Sequence, residues 1–405
     1  MIKISKILFF LILLVFPLGQ LLNYSSNLLP GLRIQPLDIL VFLFAVSFFL
    51  AKIFRREKIF WPLFFKEMAI FGSLAAFSLF INATRLSVRE FLPSFFYLLR
   101  LWTYFLFYPA LFNFLQKEKI KIASCLFWLG VAIAGLALAQ YFLLPDTRFL
   151  FNFGWDDHYY RAIGSFLDPG YTGILLTLSF LALIVNFLER KEKPILERVL
   201  GGLLILAALG LSFSRISYLA LALGLGAILF FYRKFGYFLT IILFFSLIVF
   251  LIPKPAGEGV NLWRLNSFWA KEVNYQQVWQ IIRKNALWGV GYNAYRYAQH
   301  NYGFLDEANW ETNHAGAGAD NSFLFVWATC GLGGLAAFLY LWGKILQKSF
   351  QQIFQQKSAL LVFVSILVLI LTAMTLNCLF YPWIMVWFMF LLVQFTVDSE
   401  ASTPA

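Results

Sequence analysis

ERVLGGLLILAALGLSFSRISYLALALGLGAILFFYRKFGYFLTIILFFSLIVFLI, residues 197–252, decides the fold. It holds three apolar runs, Glu197 to Phe213, Ile216 to Tyr232 and Phe235 to Ile252, separated only by Ser214-Arg215 and Arg233-Lys234. A helix that crosses the hydrocarbon of a bilayer needs about 20 mainly apolar residues, so these runs read as successive spans. The same length criterion marks Ile7 to Leu22, Pro36 to Phe54, Glu67 to Asn82, Leu92 to Leu115, Ile120 to Leu144 and Gly170 to Leu188 before them. Beyond them it marks Asn321 to Leu346, Ser358 to Leu376 and Cys378 to Val397. Charged residues make up 13% of the chain against roughly a quarter in soluble proteins, and hydrophobic residues 61%. The expected fold is all-α: a polytopic membrane helix bundle of about twelve spans with a large extracytoplasmic loop.

Basic residues set the orientation. Lys3 and Lys6, Lys52 to Lys66, Lys117 to Lys121, Arg190 to Arg198, Arg233 and Lys234, and Lys344 to Lys357 occupy every second connection. The positive-inside rule makes those connections and both termini cytoplasmic, and the run after Lys3 and Lys6 an uncleaved first span. The net charge of +12 therefore belongs to loops, and no nucleic-acid partner is expected. Cys125, Cys330 and Cys378 lie in or beside apolar runs without metal-ligand spacing, so neither a disulfide framework nor a cysteine metal site is expected.

Two longer segments remain outside, Pro145 to Pro169 and Pro253 to Asn321, and all three histidines fall on that side. In the second, Phe268, Tyr275, Val278, Trp279 and Ile282 recur at helical spacing and predict an amphipathic helix along the membrane surface. Gly289-Val290-Gly291-Tyr292-Asn293 then reads as a tight turn, with Asn293 free to hydrogen-bond a sugar. A dinucleotide fingerprint is excluded, because the strand, third glycine and downstream acid are missing.

Candidate chemistry concentrates at these outer mouths. Arg161, in Tyr160-Arg161-Ala162-Ile163-Gly164-Ser165-Phe166-Leu167-Asp168-Pro169, can pair bidentately with phosphate, with Asp168 to orient it. Arg215 lies between two apolar runs among Ser212, Ser214 and Ser217, where a charge is costly unless it is paired, wetted or functional. Arg100 sits deep in a span and calls for an ion pair, with Glu90 or Glu67 as partner, or a substrate contact. Asp320-Asn321 precedes a span, as an N-cap or as a carboxylate at the membrane surface, and His314 or Asp320 is the candidate general base. Asp156-Asp157-His158 reads more readily as solvated than as a metal site, and no metal or other cofactor is expected.

Taken together these residues resemble the O-antigen ligase and polymerase superfamily of bacterial envelope glycosyltransferases. The resemblance rests on Arg161 to Pro169, Ser214-Arg215, Trp279 with Gly289-Val290-Gly291-Tyr292-Asn293, and Asp320-Asn321-Ser322 ahead of Gly331-Leu332-Gly333-Gly334. It divides the chain into N-terminal transmembrane helices, 1–144, and a ligase/polymerase-like region, 145–405, with the periplasmic loop 253–320. It implies a bacterial inner-membrane enzyme whose active site faces outward. The implied donor is a polyprenyl-diphosphate-linked glycan, the acceptor a glycan or lipid in a membrane-lipid setting, and a chain-length regulator a partner. The implied diphosphate ligands are Arg161 and Arg215 with Arg264 or Arg283, the glycan contacts Asn293 and Asn321, and no metal takes part. Ligases typically carry His-Asn where this chain has Asp320-Asn321, which favours a polymerase or exopolysaccharide role over ligation to lipid A core. A protein O-oligosaccharyltransferase is the close alternative. A lipid-glycan flippase is the alternative from another class; it would call for polar broken helices at mid-membrane and a repeat between halves.

Overall fold

A computed structural model describes residues 2–25, 29–118, 120–189, 196–253, 258–305, 310–311 and 318–401. Each predicted apolar run forms a helix: α1 (Ile2–Val15), α2 (Pro36–Phe54), α3 (Phe65–Ile81), α4 (Val88–Leu115), α5 (Ile122–Leu143), α6 (Pro169–Glu189), α7 (Leu196–Leu211), α8 (Arg215–Phe231) and α9 (Phe235–Leu251). The loop that follows contains α10 (Asn266–Asn285) and the short α11 (Tyr295–Asn301), before α12 (Ser322–Gln351), α13 (Lys357–Ala373) and α14 (Pro382–Ala401). Between α1 and α2, β1 (Tyr24–Ser25) and β2 (Arg33–Ile34) pair antiparallel. Among the described residues seven helical segments are long and apolar enough to cross a membrane: Ile4–Leu22, α2, α4, α5, Pro169–Leu188 in α6, α12 and Pro382–Glu400 in α14. α8, α9 and α13 are apolar but shorter.

Local signals set the helix ends. Pro36 opens α2, with a capping box between Gln35 and Asp38, and Ser87 with Glu90 forms the same box before α4. Packing then joins α3 to α12, α5 to α6 and α7, α8 to α13, and α2 to α4. Small residues let these backbones approach, as transmembrane packing requires. A Cβ on Gly130 would lie 2.2 Å from that of Ser179, and one on Gly173 2.2 Å from the Ser217 hydroxyl.

α12 is broken at Gly331, whose φ of +68° favours glycine. A break inside an apolar helix frees backbone groups that lipid cannot satisfy. The turn after α10 supplies them: Val290 N donates to Ala328 O at 2.9 Å, Gly291 N to Thr329 O at 3.1 Å, and Leu332 N to Ala286 O at 2.9 Å. The Ser78 hydroxyl of α3 reaches both Trp288 O and Thr329 O at 2.6 Å. The predicted Gly289–Asn293 turn is thus a plug for a broken helix, and it fixes Asn293 at the loop end of the bundle.

The predicted surface helix is α10, but its stripe is only partly buried. Val278 and Ile282 are buried with Asn274 and Ile281, whereas Phe268 is 60% exposed and Trp279 faces out against Trp327. Nearby Trp263 is 89% exposed, in keeping with a ring held at a membrane interface.

Candidate functional site

The loop end of the bundle, where α5 finishes and α2, α6 and α12 begin, holds two groups of arginines. The first is the expected one. Arg161 donates from Nε to Ser212 O at 3.0 Å and from Nη2 to Phe213 O at 3.2 Å. Those carbonyls follow the end of α7 and lack helical partners, so a cation is drawn to them. Arg215 opens α8 and donates from Nη1 to Arg264 O at 2.9 Å and Leu262 O at 3.4 Å, and from Nη2 to the Ser267 hydroxyl. Arg264 in turn reaches Gly259 O at 2.7 Å and Asn261 O at 3.0 Å. Arg215 ties the 259–267 segment to the start of α8, Arg264 braces that segment from within, and Arg161 binds the α7–α8 junction. Arg283 stands apart on the exposed side of α10, 5.6 Å over the Trp279 ring.

The second group lines a cavity of about 390 Å3 that Asp156, Asp168 and Asp320 share with Arg33, Arg100 and Arg296. Asn293, in the left-handed conformation at φ +59°, and Tyr97, Tyr171 and Tyr381 also face it. Arg33 is presented by β2, its guanidinium 4.8 Å above the Trp155 ring. Arg296, on α11, holds Trp310 O at 3.3 Å and Glu311 O. Arg100 pairs with Asp38 at 2.7 Å, and Tyr104 donates to the other Asp38 oxygen at 2.8 Å. Neither expected partner of Arg100 serves, because Glu67 pairs with Lys344 and Glu90 completes the cap of α4. The reason is distance along the chain: Asp38 belongs to α2, and the α2–α4 packing brings it in.

Asp168 also takes another task than orienting Arg161. Its Oδ1 accepts Gly170 N at 2.7 Å and Tyr171 N at 2.8 Å, capping α6, and among the described residues it forms no ion pair with Arg161. Asn321 likewise caps α12, accepting Phe323 N at 2.9 Å and Leu324 N at 3.0 Å. Asp320 is held by its backbone: its N–H donates to Asn274 Oδ1 at 2.9 Å, while Asn274 Nδ2 grips Gly318 O at 2.7 Å. Its carboxylate lies 3.7 Å from Lys271 Nζ. Asn274 was detectable, since it shares the 274, 278, 282 stripe of α10 with Val278 and Ile282. His314 lies outside the described residues.

Electrostatics follow from this crowding. Burial, and then Asp168, push the Asp320 carboxyl up, against the pull of Lys271. Asp156 is pushed up to about 6 by burial in the cavity mouth and by Asp168, Asp320 and Asp157, with Arg161 opposing. Because water reaches the Asp156 side chain, the crowd of carboxylates matters more there than burial. His158 is pushed down to about 3 by burial, Arg161 and Arg264, and is neutral at pH 7. Burial lowers Arg33 and Arg161 to about 10, so both remain cations. Among the described residues no group of three His, Cys, Asp or Glu side chains is arranged to hold a metal ion, and the Asp156-Asp157-His158 run does not gather into one.

No curated protein matches the chain. The family model described as O-antigen ligase matches residues 200–339, from α7 through the arginine-held loop, α10, α11 and the break in α12. That match includes Arg215, Arg264, Asn293 and Asp320, and it supports the resemblance of this part of the chain to the O-antigen ligase and polymerase superfamily.

Proposed function

We propose that the protein polymerises a polyprenyl-diphosphate-linked glycan at the outer face of a bacterial inner membrane. In this reading all twelve apolar helices span the bilayer, both termini are cytoplasmic, and loop 253–320 covers the cavity from outside. The observation that supports it best is the cavity itself, where three arginines and three aspartates meet at the loop end of an apolar bundle.

The chemistry follows from these side chains. An acceptor hydroxyl forms a bond to C1 of the donor sugar as the bond from C1 to the phosphate oxygen breaks, with inversion at C1. The hydroxyl proton passes to Asp320, which burial and Asp168 make a better base than an ordinary carboxylate. Negative charge grows on the departing lipid diphosphate. Arg33, Arg100 and Arg296 face the space that it occupies, while Arg161, Arg215 and Arg264 form a second cationic group at the loop seam. A charge pair about 4 Å apart at an effective dielectric near 20 is worth about 4 kcal/mol, so two or three such contacts supply what a metal ion would otherwise give. The carboxylate at position 320, in place of the histidine typical of ligases, favours polymerisation over ligation.

Purified protein given a lipid-diphosphate-linked repeat unit should release lipid diphosphate and lengthen the glycan. Movement of glycan across the membrane with no new glycosidic bond would refute the proposal.

A further inference from the structure

At the opposite end of the bundle a second cavity, of about 220 Å3, opens between the start of α5, the end of α6, and α7, α13 and α14. Three cations from three helices reach it: Lys121 at the N-cap of α5, Arg198 in the first turn of α7, and Lys357 at the start of α13. Among the described residues its single acid, Asp398, is already engaged, accepting the Ser358 hydroxyl at 2.5 Å and the Gln394 amide at 2.7 Å. Among the described residues neither Lys121 nor Arg198 forms an ion pair with a carboxylate. The first turns of α5 and α13 both border the cavity, and a helix N-terminus adds positive potential. Phe127, Leu183, Leu361 and Leu391 make an apolar part of the remaining wall, beside the polar Ser124 and Asn186.

Cations and amide dipoles at one level, with an apolar wall running toward the bundle centre, match a phosphodiester whose acyl chains lie along the helices. The volume is below the roughly 300–1,000 Å3 of pockets that enclose a whole drug-sized ligand, so it suits a head group with its tails outside. Basic pockets between helices on the cytoplasmic side are where anionic head groups dock. We propose that this cavity binds the phosphate of an anionic glycerophospholipid of the cytoplasmic leaflet, separately from the glycan site. The proposal rests on the membrane reading but not on the glycosyltransferase reading.

The full-length protein in nanodiscs of mixed phosphatidylglycerol and phosphatidylcholine, examined by native mass spectrometry after release into detergent, tests it. Wild type should retain phosphatidylglycerol selectively. Substituting Lys121→Gln, Arg198→Gln and Lys357→Gln should weaken that retention about fivefold per charge removed. The thermal midpoint in pure phosphatidylcholine, unchanged by the substitutions, shows that the fold survives. If the triple variant does not fold, the exposed Lys121→Gln alone carries the test with its single fivefold loss. Equal retention by wild type and variant, or equal retention of phosphatidylcholine, overturns the proposal. Inorganic phosphate that binds with the same dependence on the three side chains, while no phosphatidylglycerol is retained, overturns the lipid assignment in favour of a soluble phosphate.

Discussion

Arg161 is buried and Arg296 half-buried at the loop end of the bundle, and both spend donors on backbone carbonyls, yet only Arg296 faces the cavity. Arg161 sits with Arg215 and Arg264 where α7 gives way to α8, and that group secures a loop. Arg296 sits with Arg33 and Arg100 where a two-residue strand, a long helix and a seven-residue helix converge. The difference teaches that an arginine beside a span is not by that fact a substrate ligand. Orphan carbonyls at a helix end compete for it, and a guanidinium with five donors can serve them while still presenting charge elsewhere.

The largest test of the comparison lies between the arginines, at Asp320. Asp320→Asn should lower turnover by about 10²–10⁴-fold, the usual contribution of a positioned general base. It should also flatten the acid limb of the pH–rate profile, because turnover that needs ionised Asp320 rises with pH through its carboxyl pKa. Wild-type turnover in this variant would remove the base from the cavity.

Next come the two arginine groups. Arg296→Ala should cost about 10²–10³-fold in turnover, the loss that follows removal of one donor to a developing negative charge. Arg215→Ala should leave more activity, about a tenth, and instead expose the 259–267 loop to protease. The reverse ranking, with Arg215 essential and Arg296 dispensable, would return the diphosphate to the α7–α8 seam.

This division was only partly legible in the sequence. The run Pro36 to Phe54 coincides with α2 because proline, a capping acid and unbroken apolar residues all agree there. The break at Gly331 was not legible, since a glycine within an apolar run carries no mark of a turn docking from 40 residues upstream. Arg215 was visible as a charge between two spans, but the carbonyls that claim it belong to a loop with no periodicity. Arg33 and Arg296 were missed because each sits on an element too short to show a pattern, and Asp38 because the contact with Arg100 spans 62 positions in the chain. What sequence alone conveys is which residues are costly to place in a membrane; which of them share a cavity is decided by helix packing.

Asn321 offers a smaller test. As the cap of α12 it should cost about 1 kcal/mol of stability when replaced by alanine, read from the thermal midpoint, with little change in apparent glycan affinity. A large loss of affinity at unchanged stability would make it a glycan contact beside Asn293.

The smallest expected effect concerns the acids that separate the two arginine groups. Asp156 is pushed up to about 6 from an ordinary 3.8, so the folded protein holds this proton more tightly than the unfolded chain across that window. Stability therefore falls as pH rises from about 4 to about 6 and stays at the lower level above it. Asp156→Asn removes this penalty. The variant should melt at a higher temperature than wild type at pH 7.5, and the gain should shrink toward zero by about pH 4. Solvent access keeps the effect modest, and its sign carries the information. A variant less stable than wild type at pH 7.5 would mean that Asp156 is stabilised by the nearby arginines more than it is opposed by Asp168 and Asp320. The acids would then belong to the Arg161 seam, and the two arginine groups would act as one site.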